Sequence, residues 1–243
     1  MADEIDADAL AAAVAFEEVE IVRSAIASGV NVNLIGRNGV PPLVLAAVKG
    51  LHDILGLLLD AGADPNQPDR SGGMTALHAA AMNGMSDACK KLIERGANVN
   101  VFFGIPPITP LSLAFRRGHR SLVKPLLAAG ADPDIGIDVP DGPSEQRGTT
   151  PLLYAAAVGD TEMLRLLLSH GADPNRPKAD GMAPLMAATF RGQFESVKVL
   201  VEAGANVNQL LSPDSNDACS ALDLAVRRGY RQIADFLRMD AEI

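Results

Sequence analysis

Tryptophan is missing from the 243 residues, and the few phenylalanines and tyrosines bring the aromatic share to only 4%. A core with so few rings has to be filled by Ala, Leu and Val. That suits thin helices stacked closely and suits one large globular core less well. Cysteine is nearly absent: Cys89 and Cys219 stand far apart, too few for a disulfide framework and too distant for a metal-ligand pair. Positive charge is in deficit, with a formal net charge of −9. Nucleic-acid binding requires a basic face that neutralises phosphates, so no nucleic-acid partner is expected. Apolar runs of bilayer length are lacking too, since the run 9–16 is too short to span a membrane. The first residues, Met1-Ala2-Asp3-Glu4-Ile5-Asp6-Ala7-Asp8, are acidic where a signal peptide would be basic. The expectation is a cytoplasmic chain with no membrane partner.

The signatures of catalysis are also missing. There is no Gly-x-Ser-x-Gly elbow. No Gly-rich phosphate loop, His-Glu-x-x-His or Cys-x-x-Cys pair occurs. His52, His119 and His170 have no metal-ligand spacing between them. No enzyme activity, metal or cofactor is expected.

What the chain has in abundance is self-similarity. Gly62-Ala63-Asp64-Pro65-Asn66 returns as Gly96-Ala97-Asn98-Val99-Asn100, Gly130-Ala131-Asp132-Pro133-Asp134, Gly171-Ala172-Asp173-Pro174-Asn175 and Gly204-Ala205-Asn206-Val207-Asn208. Gly29-Val30-Asn31-Val32-Asn33 is a weaker copy, and the glycines step by 33, 34, 34, 41 and 33 residues. A second phrase precedes the later five: Pro41-Pro42-Leu43, Thr75-Ala76-Leu77-His78, Thr109-Pro110-Leu111, Thr150-Pro151-Leu152 and Ala183-Pro184-Leu185, with a last copy at Ser220-Ala221-Leu222. Thr or Ser caps a helix by accepting an orphan backbone N–H. Pro at the first helical position has the required φ and no N–H to lose. Ala pairs such as Ala46-Ala47 keep this first helix slim, and a glycine at its end (Gly50, Gly84, Gly118, Gly159, Gly192, Gly229) permits a left-handed turn. A second helix follows, with apolar residues at helical spacing such as Leu164, Leu167 and Leu168.

These phrases at one fixed period resemble the ankyrin repeat, with its Thr-Pro-Leu-His and Gly-Ala-Asp-x-Asn signatures. The resemblance implies an all-α ankyrin-repeat solenoid of about seven helix-turn-helix units with protruding hairpin-like fingers. The units fall at 7–36, 37–69, 70–103, 104–137, 147–178, 179–213 and 214–243, within a single domain, 1–243. The first and last are degenerate, as end caps with one neighbour should be. Two loops exceed the period. The segment 135–147 inserts about eight residues and 209–217 about four, either as tolerated surface insertions or as parts of a binding face.

The resemblance also implies a binding surface on the concave side, at the fingers and the exposed ends of the first helices. Carried over to the two residues before each turn glycine, it selects Val48 and Lys49, Met82 and Asn83, Arg116 and Arg117, Ala157 and Val158, Phe190 and Arg191, Arg227 and Arg228. This row is basic in an acidic chain. Arginine presents a rigid fork to carboxylates and is enriched at binding hot spots. Either the row receives an acidic segment of a partner protein, or its arginines pair with acids of adjacent repeats. The finger Val101-Phe102-Phe103-Gly104-Ile105-Pro106-Pro107-Ile108 is a second candidate, because fingers are normally polar turns. Phe102, Phe103, Ile105 and Ile108 either form an exposed contact patch or fold back onto their own loops.

The function expected is non-catalytic protein–protein interaction by a chain that is monomeric when free. A dedicated inhibitor is the alternative, such as a bacterial immunity protein or antitoxin that occludes a toxin or enzyme. An enzyme assembled from the repeats is the least favoured reading, because a groove offers no enclosed site.

Overall fold

The computed structural model describes residues 2–104, 107–136, 148–211 and 218–240, and side chains from Ala7 onward within them as far as Met239. All regular structure among these residues is helical, in fourteen helices that alternate as first and second members of seven pairs. The contacts divide the chain into two compact units, 1–131 and 132–243.

The first unit holds four pairs: α1 (Ala2–Ala15) with α2 (Val19–Ala27), α3 (Pro42–Lys49) with α4 (His52–Asp60), α5 (Ala76–Met82) with α6 (Ser86–Glu94), and α7 (Pro110–Arg116) with α8 (Arg120–Ala128). First helices pack on first helices, α1 on α3, α3 on α5 and α5 on α7. Second helices pack likewise, α2 on α4, α4 on α6 and α6 on α8. The second unit repeats this two-layer scheme with α9 (Pro151–Val158), α10 (Thr161–Ser169), α11 (Pro184–Phe190), α12 (Phe194–Glu202), α13 (Ala221–Arg228) and α14 (Arg231–Asp240).

The composition explains the layers. Ala46, Ala47, Ala79, Ala80, Ala81 and Ala114 are buried between first helices of the first unit, where a larger side chain would force the helices apart. The second helices supply bulk through Leu55, Leu58, Leu92, Leu122 and Leu126, all but fully buried. Each such side chain contributes about 2 kcal/mol on leaving water. The helix starts follow the caps read from the sequence. Thr109 accepts from Ser112 N at 3.1 Å, Thr150 from Leu153 N at 3.2 Å and Ser220 from Asp223 N at 3.2 Å. Pro42, Pro110, Pro151 and Pro184 occupy the first helical position. The six turn glycines named above have φ between +70 and +82°.

An Asx ladder stitches successive repeats together within each unit. Asn33 Oδ1 accepts from Asp64 N at 2.7 Å while its Nδ2 donates to Gly62 O at 3.1 Å. Asn66 and Asn175 do the same one repeat further on, and Asn100 Nδ2 donates to Gly130 O. Asp134 occupies the equivalent rung in the second unit. It accepts from Asp173 N at 3.1 Å through both oxygens but has no proton to give to the Gly171 carbonyl. Burial of its carboxyl pushes the pKa up, against the opposing pull of the Asp173 N–H. A carboxyl raised in the folded state stabilises at low pH and loses that contribution as pH rises through its folded pKa. Asp134→Asn supplies the missing donor without a charge. It is expected to stabilise the second unit by about 1 kcal/mol at neutral pH, with the gain shrinking in acid. Urea midpoints of the two proteins at pH 7 and pH 4 check both parts.

Candidate functional site

The two residues that precede each turn glycine end a first helix, so the repeat register lays them out as rungs within each unit. In the first unit, Lys49 lies 3.8 Å from Glu17 Oε1, so this cation is paired within the chain. Met82 is half-buried, and its carbonyl accepts the Nε2–H of His119 at 3.1 Å. Asn83 is exposed, but both its amide donations go to the end of α3, at 3.0 Å to Ala47 O and 2.8 Å to Val48 O. It fixes the neighbouring rung and retains only Oδ1 for a partner. Arg116 and Arg117 are exposed, and among the described residues neither has an ion-pair partner.

The second unit has two basic rungs. Arg191 is exposed and has no ion-pair partner among the described residues. The guanidinium of Arg228 lies 3.6 Å from the ring centroid of half-buried Phe190, a cation–π stack that links the two rungs. Arg227 is exposed near Asp223. The Asp223 carboxyl sits below its usual range chiefly because it accepts from the Ser220 N–H and hydroxyl, with Arg227 adding a smaller pull. Ala157 and Val158, at the remaining rung, carry no charge, and Val158 is exposed.

One rung escaped the sequence reading. The helix α1 ends at Ala15 and is followed by Phe16-Glu17 and not by a glycine, so the register of turn glycines passes over it. Glu17 nevertheless sits one 33-residue period before Gly50 and holds the same left-handed conformation, φ +63°. Phe16 is 76% exposed. The period alone would have found this rung, had it been applied without requiring glycine.

The apolar finger divides. Phe103 and Ile108 form an isolated antiparallel bridge, with N–H···O distances of 3.1 and 3.0 Å. Phe103 meets His78 edge-on with ring centroids 4.9 Å apart, and Ile108 is half-buried. Phe102 points outward and is 63% exposed. Ile105 lies outside the described residues, as do 137–147 and 212–217 of the two insertions. Phe103 and Ile108 thus fold back onto their own loop, whereas Phe102 stays exposed.

His78 holds the base of this finger. Its Nδ1 accepts from Thr75 N at 3.2 Å, so the proton is on Nε2, which donates to Val101 O at 3.2 Å and Ile108 O at 3.1 Å. Burial pushes its pKa down to about 4, so at neutral pH the ring is uncharged. Cys89 is buried and its thiol is pushed up to about 12, which leaves it unreactive. Among the described residues there is no cluster of three or more metal-ligating side chains, and no helix is long and apolar enough to cross a membrane.

The helix pairs, their caps and the glycine-led ladder define a repeat protein of one class. The sequence model of the family described as ankyrin repeats, in three copies, matches residues 9–103, 67–137 and 111–210. The chain belongs to the ankyrin-repeat family. It is similar to the crystal structure of the ankyrin repeat domain of Bcl-3, a member of the IkappaB protein family. That match has 27% identity and a TM-score of 0.73, covering 95% of this chain and 97% of that one. The human ASB11 ankyrin repeat domain matches at 28% identity and a TM-score of 0.64, over 94% of this chain and 96% of that one. Curated relatives are matched over short stretches. The ankyrin repeat and KH domain-containing protein mask of Drosophila melanogaster is 33% identical over 93 residues, 38% of this chain and 2% of that protein. The glycerophosphocholine phosphodiesterase gde1 of Schizosaccharomyces pombe is 36% identical over 90 residues, 37% of this chain and 8% of that protein. The chain thus spans less than a tenth of these relatives. Ankyrin repeats are in general protein–protein interaction modules, and they also occur within proteins named as enzymes, as gde1 illustrates.

Proposed function

We propose that this chain is a non-catalytic module that holds a partner protein, with its basic rungs receiving an acidic segment of that partner. The observation that carries the reading is the state of Arg116, Arg117 and Arg191. Arg117 and Arg191 occupy matching positions of their repeats, Arg116 stands beside Arg117, and all three are exposed with no carboxylate partner among the described residues of a chain with net charge −9. A cation in that state keeps its full bonding capacity for a ligand. Arg227, Arg228 and Phe190 add a second basic patch, pre-ordered by the stack on Phe190. Phe102 is the finger residue best placed to contribute apolar contact.

The test is affinity capture from lysate of the source cell, using wild type beside an Arg116→Glu/Arg117→Glu variant and a separate Arg191→Glu/Arg228→Glu variant. Loss of a partner from either variant is expected, at about 2 kcal/mol or roughly 30-fold in affinity for a hot-spot pair. The same partner retained at full affinity by both variants would remove the acidic-segment reading. A captured partner that is a toxin or enzyme, and is silenced on binding, would favour the inhibitor alternative over a general adaptor.

A further inference from the structure

The rungs of the first unit change character along their length. On α7 they are Arg116 and Arg117, both exposed cations. On α5 they are half-buried Met82 and the tied-down Asn83. On α3, Val48 is 41% exposed and Lys49 is matched by Glu17; just after α1, Phe16 is 76% exposed. One end of the row is cationic and the other is an apolar pair whose single cation is already neutralised.

Glu17 sharpens this contrast. It holds a left-handed backbone, φ +63°, at the position where the six other repeats have glycine. A side chain there is strained, and glycine would relieve the strain. The strained glutamate sets its carboxylate beside Lys49 and so removes positive charge from the apolar end. On this row of the first unit, Arg116 and Arg117 are the cations without an ion-pair partner among the described residues, and an acidic ligand anchors there.

The geometry points to a bipolar ligand for the first unit: an extended segment with carboxylates at one end and a bulky apolar residue at the other. This rests on the acidic-segment reading above and adds the second anchor and the spacing. Adjacent packed helices lie about 8–10 Å apart, so the three steps from α7 to α1 span about 30 Å. An extended chain advances about 3.3 Å per residue, which puts the two anchors about nine residues apart. The charge at one end fixes the register, and the apolar end adds affinity that salt does not screen.

Fluorescein-labelled synthetic peptides test this against the intact chain by anisotropy. One carries four glutamates alone. Others add a Leu-Leu pair through Gly-Ser spacers of about four or about nine residues, in both sequence orders. With the long spacer, one order is expected to bind about tenfold tighter than the acid-only peptide. That gain should vanish in Phe16→Ser, whose exposed position spares the fold, and with the short spacer. Arg116→Glu/Arg117→Glu should abolish the long-spacer gain and leave each peptide only what the second basic patch of Arg191, Arg227 and Arg228 can hold. If the Leu pair adds nothing at either spacing, or its gain survives Phe16→Ser or the short spacer, the bipolar ligand is wrong while the acidic-segment reading stands. If the acid-only peptide fails to bind wild type, or binds Arg116→Glu/Arg117→Glu and Arg191→Glu/Arg228→Glu both as well as wild type, both fall; if it is lost only from Arg191→Glu/Arg228→Glu, the bipolar ligand falls alone.

Discussion

Replacing His78 by alanine is expected to destabilise the first unit by about 3–5 kcal/mol, the largest effect of any substitution considered for this chain. The side chain is fully buried, so alanine leaves a cavity. It also strands the Thr75 N–H, which now donates to Nδ1. The carbonyls of Val101 and Ile108 lose the Nε2–H that ties the finger to the start of α5. His78→Leu keeps most of the volume and separates packing from bonding. Urea denaturation gives the loss, and amide exchange at Phe103 and Ile108 reports whether the finger opens first.

The same residue makes stability depend on pH in a defined direction. Its folded pKa is pushed down to about 4 from an ordinary value of 6.5. Between those values the unfolded chain takes up a proton that the folded chain refuses. The contribution is therefore complete above pH 6.5 and is lost as pH falls toward 4, by up to about 3 kcal/mol. Carboxylates such as Asp69, held low by the N–H groups of Gly72, Gly73 and Met74 against the opposing effect of burial, also lose stability in acid. The informative quantity is thus the difference between wild type and His78→Leu at pH 7 and pH 4.5. A pH dependence equal in the two proteins would show that His78 titrates normally in the folded state.

Gly84→Ala is expected to cost about 2–3 kcal/mol, and Gly118→Ala only about 1. Both glycines have left-handed backbones, φ +70° and +74°, so both substitutions carry the strain of a Cβ there. They differ in what that Cβ meets. At Gly118 nothing lies within 4 Å. At Gly84 it would come within 2.7 Å of the imidazole of His119 from the next repeat. That ring cannot swing away freely, because its Nε2–H is held by the Met82 carbonyl at 3.1 Å. Chemical denaturation of the two variants side by side decides the matter. Equal losses would mean that His119 moves at no cost and that the turn conformation alone requires glycine.

These two glycines look alike in the sequence, each ending a first helix before a second. Their unequal burden arises because His119, one repeat later, is laid across Gly84. Glu17 makes the same point in reverse: it adopts the turn conformation without being glycine, so a reading keyed to glycine passed over Phe16. The Asx ladder was visible as a recurring Gly-Ala-Asp/Asn-x-Asn/Asp phrase, yet the phrase did not reveal that Asp134 lacks the proton its rung requires.

The period, the capping Thr and Ser residues, the prolines at helix starts and the Ala and Leu layers are local or near-neighbour properties. The amino-acid order determined them by itself, because helix signals act within a few residues and a repeat packs only on the next copy of itself. Which rung cations are free was decided by tertiary structure alone. Lys49 reaches Glu17, Arg228 reaches Phe190, and Arg116, Arg117 and Arg191 meet no carboxylate among the described residues. Pairings of this kind form between side chains a full repeat or more apart, or not at all. Their geometry depends on how neighbouring helices are stacked, and no local pattern encodes that.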